Sequence, residues 1–304
     1  MNDNNELSLI IEKIYDKLKH KIKYLKNSKV TLNENYLNLN NFHLIQRNSL
    51  NKISYEYLND IWLNFINEEK YHNYNYEKIL KIQTDINNKM RSILINWLIS
   101  SQNLFYKKKS TLFLTINIID RYISNKKILR NQFQLLGIAS LFISFKCEEL
   151  LFRNINEFLT LTNNAFSKKE LLNMENEILN ILKFDIALPL SYDFFQILSV
   201  KYEFNKIENE FGYFLLEIFL LDININKYYQ SEIALSVCYI ILSLRKINEN
   251  NEKFFLVYFN DKYNIDNNLW KNFNNIQNCA KNIYYYLENI NKIPYKAIFK
   301  VFDI

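Results

Sequence analysis

A chain of 304 residues with 49% hydrophobic and 16% aromatic side chains has room for a large core and two domains, and it is not a disordered chain. Two glycines and two prolines leave little material for hairpin turns or helix breaks, so the expected fold class is all-α. A net charge of +6 is dispersed with no basic tail, and three cysteines without CxxC spacing argue against a disulfide framework or a zinc site.

The first residues, MNDNNELSLI, have neither a basic n-region nor a long apolar run. No signal peptide and no membrane span is read, and an intracellular, reducing environment is expected. Residues 1–50 form a polar extension in which Leu7, Ile10, Ile11, Ile14 and Leu18 fall at helical spacing. The wealth of Asn, Lys, Ile, Tyr and Phe fits the codon bias of an AT-rich genome, so asparagine clusters are not read as disorder.

From Ser54 to Lys70, the residues Tyr57, Leu58, Ile61, Trp62, Phe65 and Ile66 make one helical face. Asn87 or Asn88 is placed to cap the next helix, whose apolar positions are Met90, Ile93, Leu94, Trp97, Leu98 and Leu104. Lys107 to Lys109 break the pattern, and Ser110 is expected to cap a helix over residues 111–124, with Asp120 and Arg121 set into its apolar surface. The stretch 130–150, RNQFQLLGIASLFISFKCEEL, follows. From Phe133 to Phe145 it is apolar on almost every face, which marks the central helix of a core; it is too short to span a membrane, which needs ~20 residues. Gly137 in its middle predicts a close helix crossing. A short segment over 154–161 leads to Ser167-Lys-Lys-Glu170, a capping-box signature, and to a helix through Leu182. Pro189 closes this unit. Ser191 is expected to cap the first of a second series over 192–202, 207–221, 228–246, 251–258 and 267–288. Five helices on each side of Pro189 read as a structural duplication, with domains at 51–187 and 188–304 after the polar extension.

His20, His43 and His72 have no metal-like spacing, and no P-loop, GxGxxG, HExxH or nucleophile elbow is present. No enzymatic site, no metal and no cofactor is expected.

Six segments in order then carry a family resemblance. Met90-Arg-Ser-Ile-Leu-Ile-Asn-Trp-Leu98 resembles MRxILxDWL; Ile119-Asp-Arg-Tyr-Ile123 resembles IDRFL; Phe133-Gln-Leu-Leu-Gly-Ile-Ala139 resembles LQLxGxA; Phe145-Lys-Cys-Glu-Glu149 resembles SKxEE; Met174-Glu-Asn-Glu-Ile-Leu179 resembles MExxIL; and Leu182 to Pro189 resembles LxFxLxxP. This is the order and spacing of the first box of a cyclin, and the chain is similar to the A/B mitotic type. Leu221-Asp222 and Tyr228-Tyr-Gln-Ser-Glu-Ile-Ala234 resemble the second box more loosely.

The resemblance implies two tandem five-helix boxes preceded by an N-terminal helix, and function by binding a cyclin-dependent Ser/Thr protein kinase, in the nucleus and cytoplasm. It implies Lys146 and Glu175 as the charged kinase contacts, with Phe142, Ile143, Leu179, Phe184 and Ile186 as the apolar docking groove. Tyr57 and Ile61 are candidates on the preceding helix. The residues alone permit blander readings: an internal Lys146–Glu175 salt bridge and an ordinary core. Cys147 stands where the family has an aromatic residue. Arg91 and Asp120 match a buried structural ion pair. Met90, Ile93, Leu94, Trp97, Phe133 and Gln134 match a patch that captures Arg-x-Leu peptides of substrates or inhibitors, although Ser100 replaces an acidic residue there and Asn96 an aspartate. Arg47 and Leu50 fit the short destruction-box pattern. Two other functions stay open: a cyclin-fold adaptor binding nucleic acid, which the dispersed charge disfavours, and an orphan scaffold that binds a kinase without activating it.

Overall fold

The computed structural model describes residues 57–70, 76–105, 108–150, 153–244, 273–288 and 297–298. The described residues are helices joined by short turns, with no strand among them. The first group comprises α1 (residues 57–70), α2 (Tyr76–Ile82), α3 (Asn88–Phe105), α4 (Lys109–Asn125), α5 (Phe133–Glu148), α6 (Ile155–Thr160) and α7 (Lys168–Ile181). The second comprises α8 (Ser191–Lys201), α9 (Lys206–Leu220), α10 (Gln230–Leu244) and α11 (Phe273–Glu288). The helix expected over 251–258 lies outside the described residues, as do Arg47 and Leu50.

The central helix is where the sequence places it. Gln134 alone is exposed between Phe133 and Phe145, and α5 packs on α3, α4, α6 and α7. A Cβ at Gly137 would stand 2.8 Å from Leu94 Cδ1, so the missing side chain does admit a close α3–α5 crossing. In the second group α10 has the same role, buried from Ser231 to Cys238 and packed on α8, α9 and α11.

Local signals account for several helix starts. Asn87 Oδ1 accepts the Met90 N–H at 3.0 Å. Asn154 with Glu157, Ser167 with Glu170, and Asn205 with Glu208 close reciprocal capping boxes. Two expected caps are corrected. Ser110 does not cap α4: that helix starts one residue earlier, and the Ser110 hydroxyl donates to Glu148 Oε2 at 2.6 Å. Glu149 Oε1 instead accepts the Lys108 N–H at 2.9 Å and the Thr111 hydroxyl at 3.0 Å, so the acidic tip of α5 closes the start of α4. A carboxylate is favoured there because the helix start is electropositive. Likewise Ser191 lies inside α8, and Asp193 reaches back to the Leu190 N–H at 2.9 Å.

The two groups meet through buried polar contacts. Arg91 holds Asp120 with two hydrogen bonds, Nε to Oδ1 at 2.7 Å and Nη2 to Oδ2 at 2.6 Å. Its third nitrogen donates to the Leu220 carbonyl at 2.9 Å, and Asn226 donates to Asp120 Oδ2 at 3.0 Å. Lys109 reaches across to the fully buried Glu217 at 2.6 Å, and that burial pushes the Glu217 carboxyl up despite the lysine. The Phe113, Tyr192 and Tyr213 rings form a run at 5.6 and 5.4 Å beside it.

Helix α1 docks on the second group although it precedes the first box in sequence. Trp62 and Phe65 meet Phe194 edge-on at 5.1 and 5.6 Å, and Glu69 accepts the Ser231 N–H and hydroxyl at 2.7 and 2.6 Å at the start of α10. Burial raises the Glu69 carboxyl to about 7 against those stabilising bonds. No described helix is long and apolar enough to cross a membrane.

Candidate functional site

The end of α5 lies against the middle of α7, and their charges meet. Lys146 Nζ is bonded to Glu175 Oε1 and lies 4.3 Å from the centroid of the Phe142 ring. The lysine side chain is 45% exposed and the glutamate 8%, so the pair stands at the rim of the apolar packing. The internal salt bridge that the sequence left open is therefore formed in this chain. The lysine end of the pair is solvated and screened, whereas the glutamate, 8% exposed, needs a cation or another donor to stay charged where it is.

Around this pair the expected groove residues divide. Phe142, Ile143 and Ile186 are buried, with Phe142 edge-on to Phe158 at 4.9 Å; they form core walls beneath the face. Leu179 is half-buried one turn after Glu175. Phe184 is 68% exposed. Its backbone, with that of Lys183, takes the left-handed conformation, at φ 59° and 54°. For residues with a Cβ this conformation costs on the order of 1 kcal/mol each. The turn is closed by Phe184 N–H to the Leu179 carbonyl at 2.9 Å and Asp185 N–H to the Leu182 carbonyl at 3.0 Å. Cys147, next along α5, is exposed, and partial burial with the neighbouring Glu148 pushes its thiol up. It is not a poised nucleophile.

Glu148 and Glu149, which follow at the tip of α5, are half-buried and tied to Ser110, Lys108 and Thr111. Lys108 also bonds the Glu148 carbonyl. Lys108 and Lys109 are thus structural ties, not a free basic run.

On α1, Tyr57 and Ile61 are exposed while Trp62 from the same helix is buried. The expected peptide patch divides similarly. Ile93 and Gln134 are exposed, Met90 and Trp97 are half-buried, and Leu94 and Phe133 are buried. Helix α3 carries no acidic residue. The Ser100 hydroxyl turns back on the Asn96 and Trp97 carbonyls, and Asn96 Oδ1 accepts the Ala297 N–H at 3.1 Å. Neither replacement restores a carboxylate for a peptide arginine. Among the described residues no cluster of three His, Cys, Asp or Glu could hold a metal ion.

Sequence reasoning missed one tie in this region. Arg121, mostly buried in α4, donates to the Asp185 carbonyl at 2.6 Å and to its carboxylate at 3.1 Å. The signal was a second charge beside Asp120 in an apolar helix.

Comparison with known proteins identifies the first group of helices. Residues 60–187 match the cyclin N-terminal domain. That stretch places a cyclin N-terminal domain in this chain. It is 35% identical over 180 residues to the G2/mitotic-specific cyclin-A of Patella vulgata, covering 59% of this chain and 42% of that one. It is 36% identical over 169 residues to the G2/mitotic-specific cyclin-B of Hydra vulgaris, covering 56% and 46%. The chain therefore spans less than half the length of these relatives. A viral cyclin from herpesvirus saimiri superposes with a TM-score of 0.61 at 21% identity, over 76% of this chain and 96% of that one, which shows the same fold. The family resemblance is to cyclins of the A and B type.

Proposed function

We propose that this chain is the regulatory subunit of a cyclin-dependent Ser/Thr protein kinase in cell-cycle control, and that it binds through the face made by the end of α5, α7 and the turn after α7. The observation that carries this reading is that α7 and the turn after it present both the Lys146–Glu175 pair, with its half-exposed lysine, and a solvent-exposed Phe184 whose backbone is tied to Leu179. An exposed aromatic on a rigid turn is an anchor that loses little entropy on burial. Lys146 and Glu175 can exchange their mutual bond for charge-assisted bonds to a partner's backbone. A kinase is active only when its αC helix is turned in, so that the Lys–Glu ion pair forms and the metal-holding Asp is aligned. A cyclin that fits only that arrangement shifts the kinase population toward it. The chain itself does no chemistry in this scheme. It works in the nucleus and cytoplasm, where its kinase partner is phosphorylating substrates.

The patch of Met90, Ile93, Trp97 and Gln134 is assigned to substrate or inhibitor peptides through apolar contact, with a weak preference for arginine because no carboxylate faces it from α3. Nucleic-acid binding is not favoured: Arg91, Lys109, Arg121, Lys126 and Lys146 are all held in internal ion pairs.

The test is reconstitution with a panel of cyclin-dependent kinases, scoring co-elution and phosphorylation of a generic substrate, with Lys146→Glu run beside the wild type and melting curves to show that it is folded. Co-elution and activation by the wild type, lost in Lys146→Glu, are expected. A kinase that binds but stays inactive makes the protein a scaffold. A full panel without binding overturns the docking face.

A further inference from the structure

Two consecutive non-glycine residues, Lys183 and Phe184, sit in the left-handed region, and the second presents 68% of an aromatic residue to water. Neither feature is favourable in the isolated chain: the backbone conformation is disfavoured for any residue with a Cβ, and the exposed ring gains nothing from the core. A turn of this kind persists only where its surroundings over-determine it. On one side the backbone bonds to Leu179 and Leu182 tie it to the end of α7. On the other side stands a single long side chain from a different helix. Arg121 leaves α4 largely buried and spreads its guanidinium over Asp185, taking the main-chain carbonyl at 2.6 Å and the carboxylate at 3.1 Å. This two-point grip fixes both the position and the orientation of Asp185, the residue that follows Phe184. Beyond it, Ile186 is buried and anchors the chain again.

We propose that Arg121 is a positioning residue for kinase docking: it locks the left-handed Lys183–Phe184 turn from the α4 side and so holds the Phe184 ring in its outward, binding-ready place. The proposal rests on the docking reading given above. Arg121 makes no contact with the kinase itself. It acts entirely through Phe184, and it restricts the ring before the partner arrives, so its effect is on affinity through preorganisation.

The experiment is a double-mutant cycle on the affinity for the kinase that co-elutes with the wild type. Phe184→Ala is expected to weaken binding by ~30-fold or more, as for a truncated interface anchor. Arg121→Met keeps the stem and removes the fork, and it is expected to weaken binding by about 10-fold, since the ring remains but is no longer held. The double variant is expected to bind no more weakly than Phe184→Ala alone. Losses that multiply in the double variant overturn the proposal, because Arg121 would then act by some other route. Amide hydrogen exchange supplies a readout that a general loss of stability would not reproduce: in Arg121→Met the Phe184 and Asp185 amides should exchange faster while α5 stays protected. Uniformly faster exchange overturns it. Where Arg121→Met is poorly folded, Asp185→Ala removes only the carboxylate half of the grip from a half-exposed position, and its smaller loss should also vanish in the Phe184→Ala background. A wild type that binds no kinase removes the docking reading and this proposal with it. A wild type that binds, loses affinity in Phe184→Ala, and keeps it in Arg121→Met removes only the role of Arg121.

Discussion

Two ion pairs in this chain look alike in sequence, and their surroundings make them opposites. Arg91–Asp120 and Lys146–Glu175 each join residues twenty-nine apart, one cation and one carboxylate on neighbouring helices. The first has side chains 1% and 5% exposed, makes two parallel bonds, and is extended by the Leu220 carbonyl and Asn226 into the second helical group. The second is monodentate, with its lysine 45% exposed and an aromatic ring beneath it. Opening the first strands two charges in the core, whereas in the second only the glutamate is buried, and the lysine can turn out into water and leave its place to another donor. One pair therefore holds the molecule together, and the other is available to something outside it.

The largest expected effect tests the first half of this contrast. Arg91→Met leaves Asp120 buried without its cation and should cost ~3–5 kcal/mol by urea denaturation; a cost under ~1 kcal/mol would erase the distinction. Asn226→Ala probes how far that pair extends. It removes one donor from the buried Asp120 carboxylate and should cost about 1–3 kcal/mol in the same measurement, with no change in kinase affinity.

A third prediction uses pH on another buried carboxylate. Glu69 titrates at about 7 in the folded chain, above its ordinary value of 4.5, because burial disfavours its charge. Between those values the folded state holds a proton that the unfolded state has lost, so this group's contribution to stability falls as pH rises through that window. Asp193, raised by burial to about 6, adds a slope of the same sign. Glu69→Gln should flatten the pH dependence of the melting temperature between about pH 5 and pH 7 while leaving the Asp193 part. An unchanged slope would mean that the tie between α1 and α10 stays charged and well solvated. The smallest effect is at the other pair. Lys146→Ala should cost clearly less than Arg91→Met in urea denaturation, because only the glutamate of this pair is buried, while weakening kinase binding in a titration of the complex. A stability loss comparable to that of Arg91→Met would make Lys146–Glu175 a structural pair as well.

The difference between the two pairs was only partly legible in the sequence. Motif order assigned Arg91 and Asp120 to structure and Lys146 and Glu175 to binding, but spacing alone reads the two in the same way. Exposure separates them, and exposure is a property of everything packed around a side chain. Caps show the same division. Asn154 with Glu157 and Ser167 with Glu170 are local, since donor and acceptor lie three residues apart, and the chain specifies them wherever it is placed. Ser110 has the right residue type one position inside α4, yet Glu149 arrives from thirty-eight residues away to bond Thr111. No local rule finds that partner.

What the sequence by itself determined is the helical fold and its central element. A run apolar on every face can only be surrounded, and a chain almost without glycine and proline has few ways to interrupt its helices. The crossing at Gly137 also follows from a single residue, because only a missing Cβ lets Leu94 approach so closely. The tertiary structure decided the partners. It put α1 against Phe194 and Ser231 of the second group, sent Arg91 to Leu220 and Lys109 to Glu217, and set Arg121 over Asp185 beside an exposed Phe184. Each of these joins residues far apart in the chain. Side-chain type fixes what a residue can bond, but the partner it meets depends on how helices cross, and that is settled by the packing of the whole core.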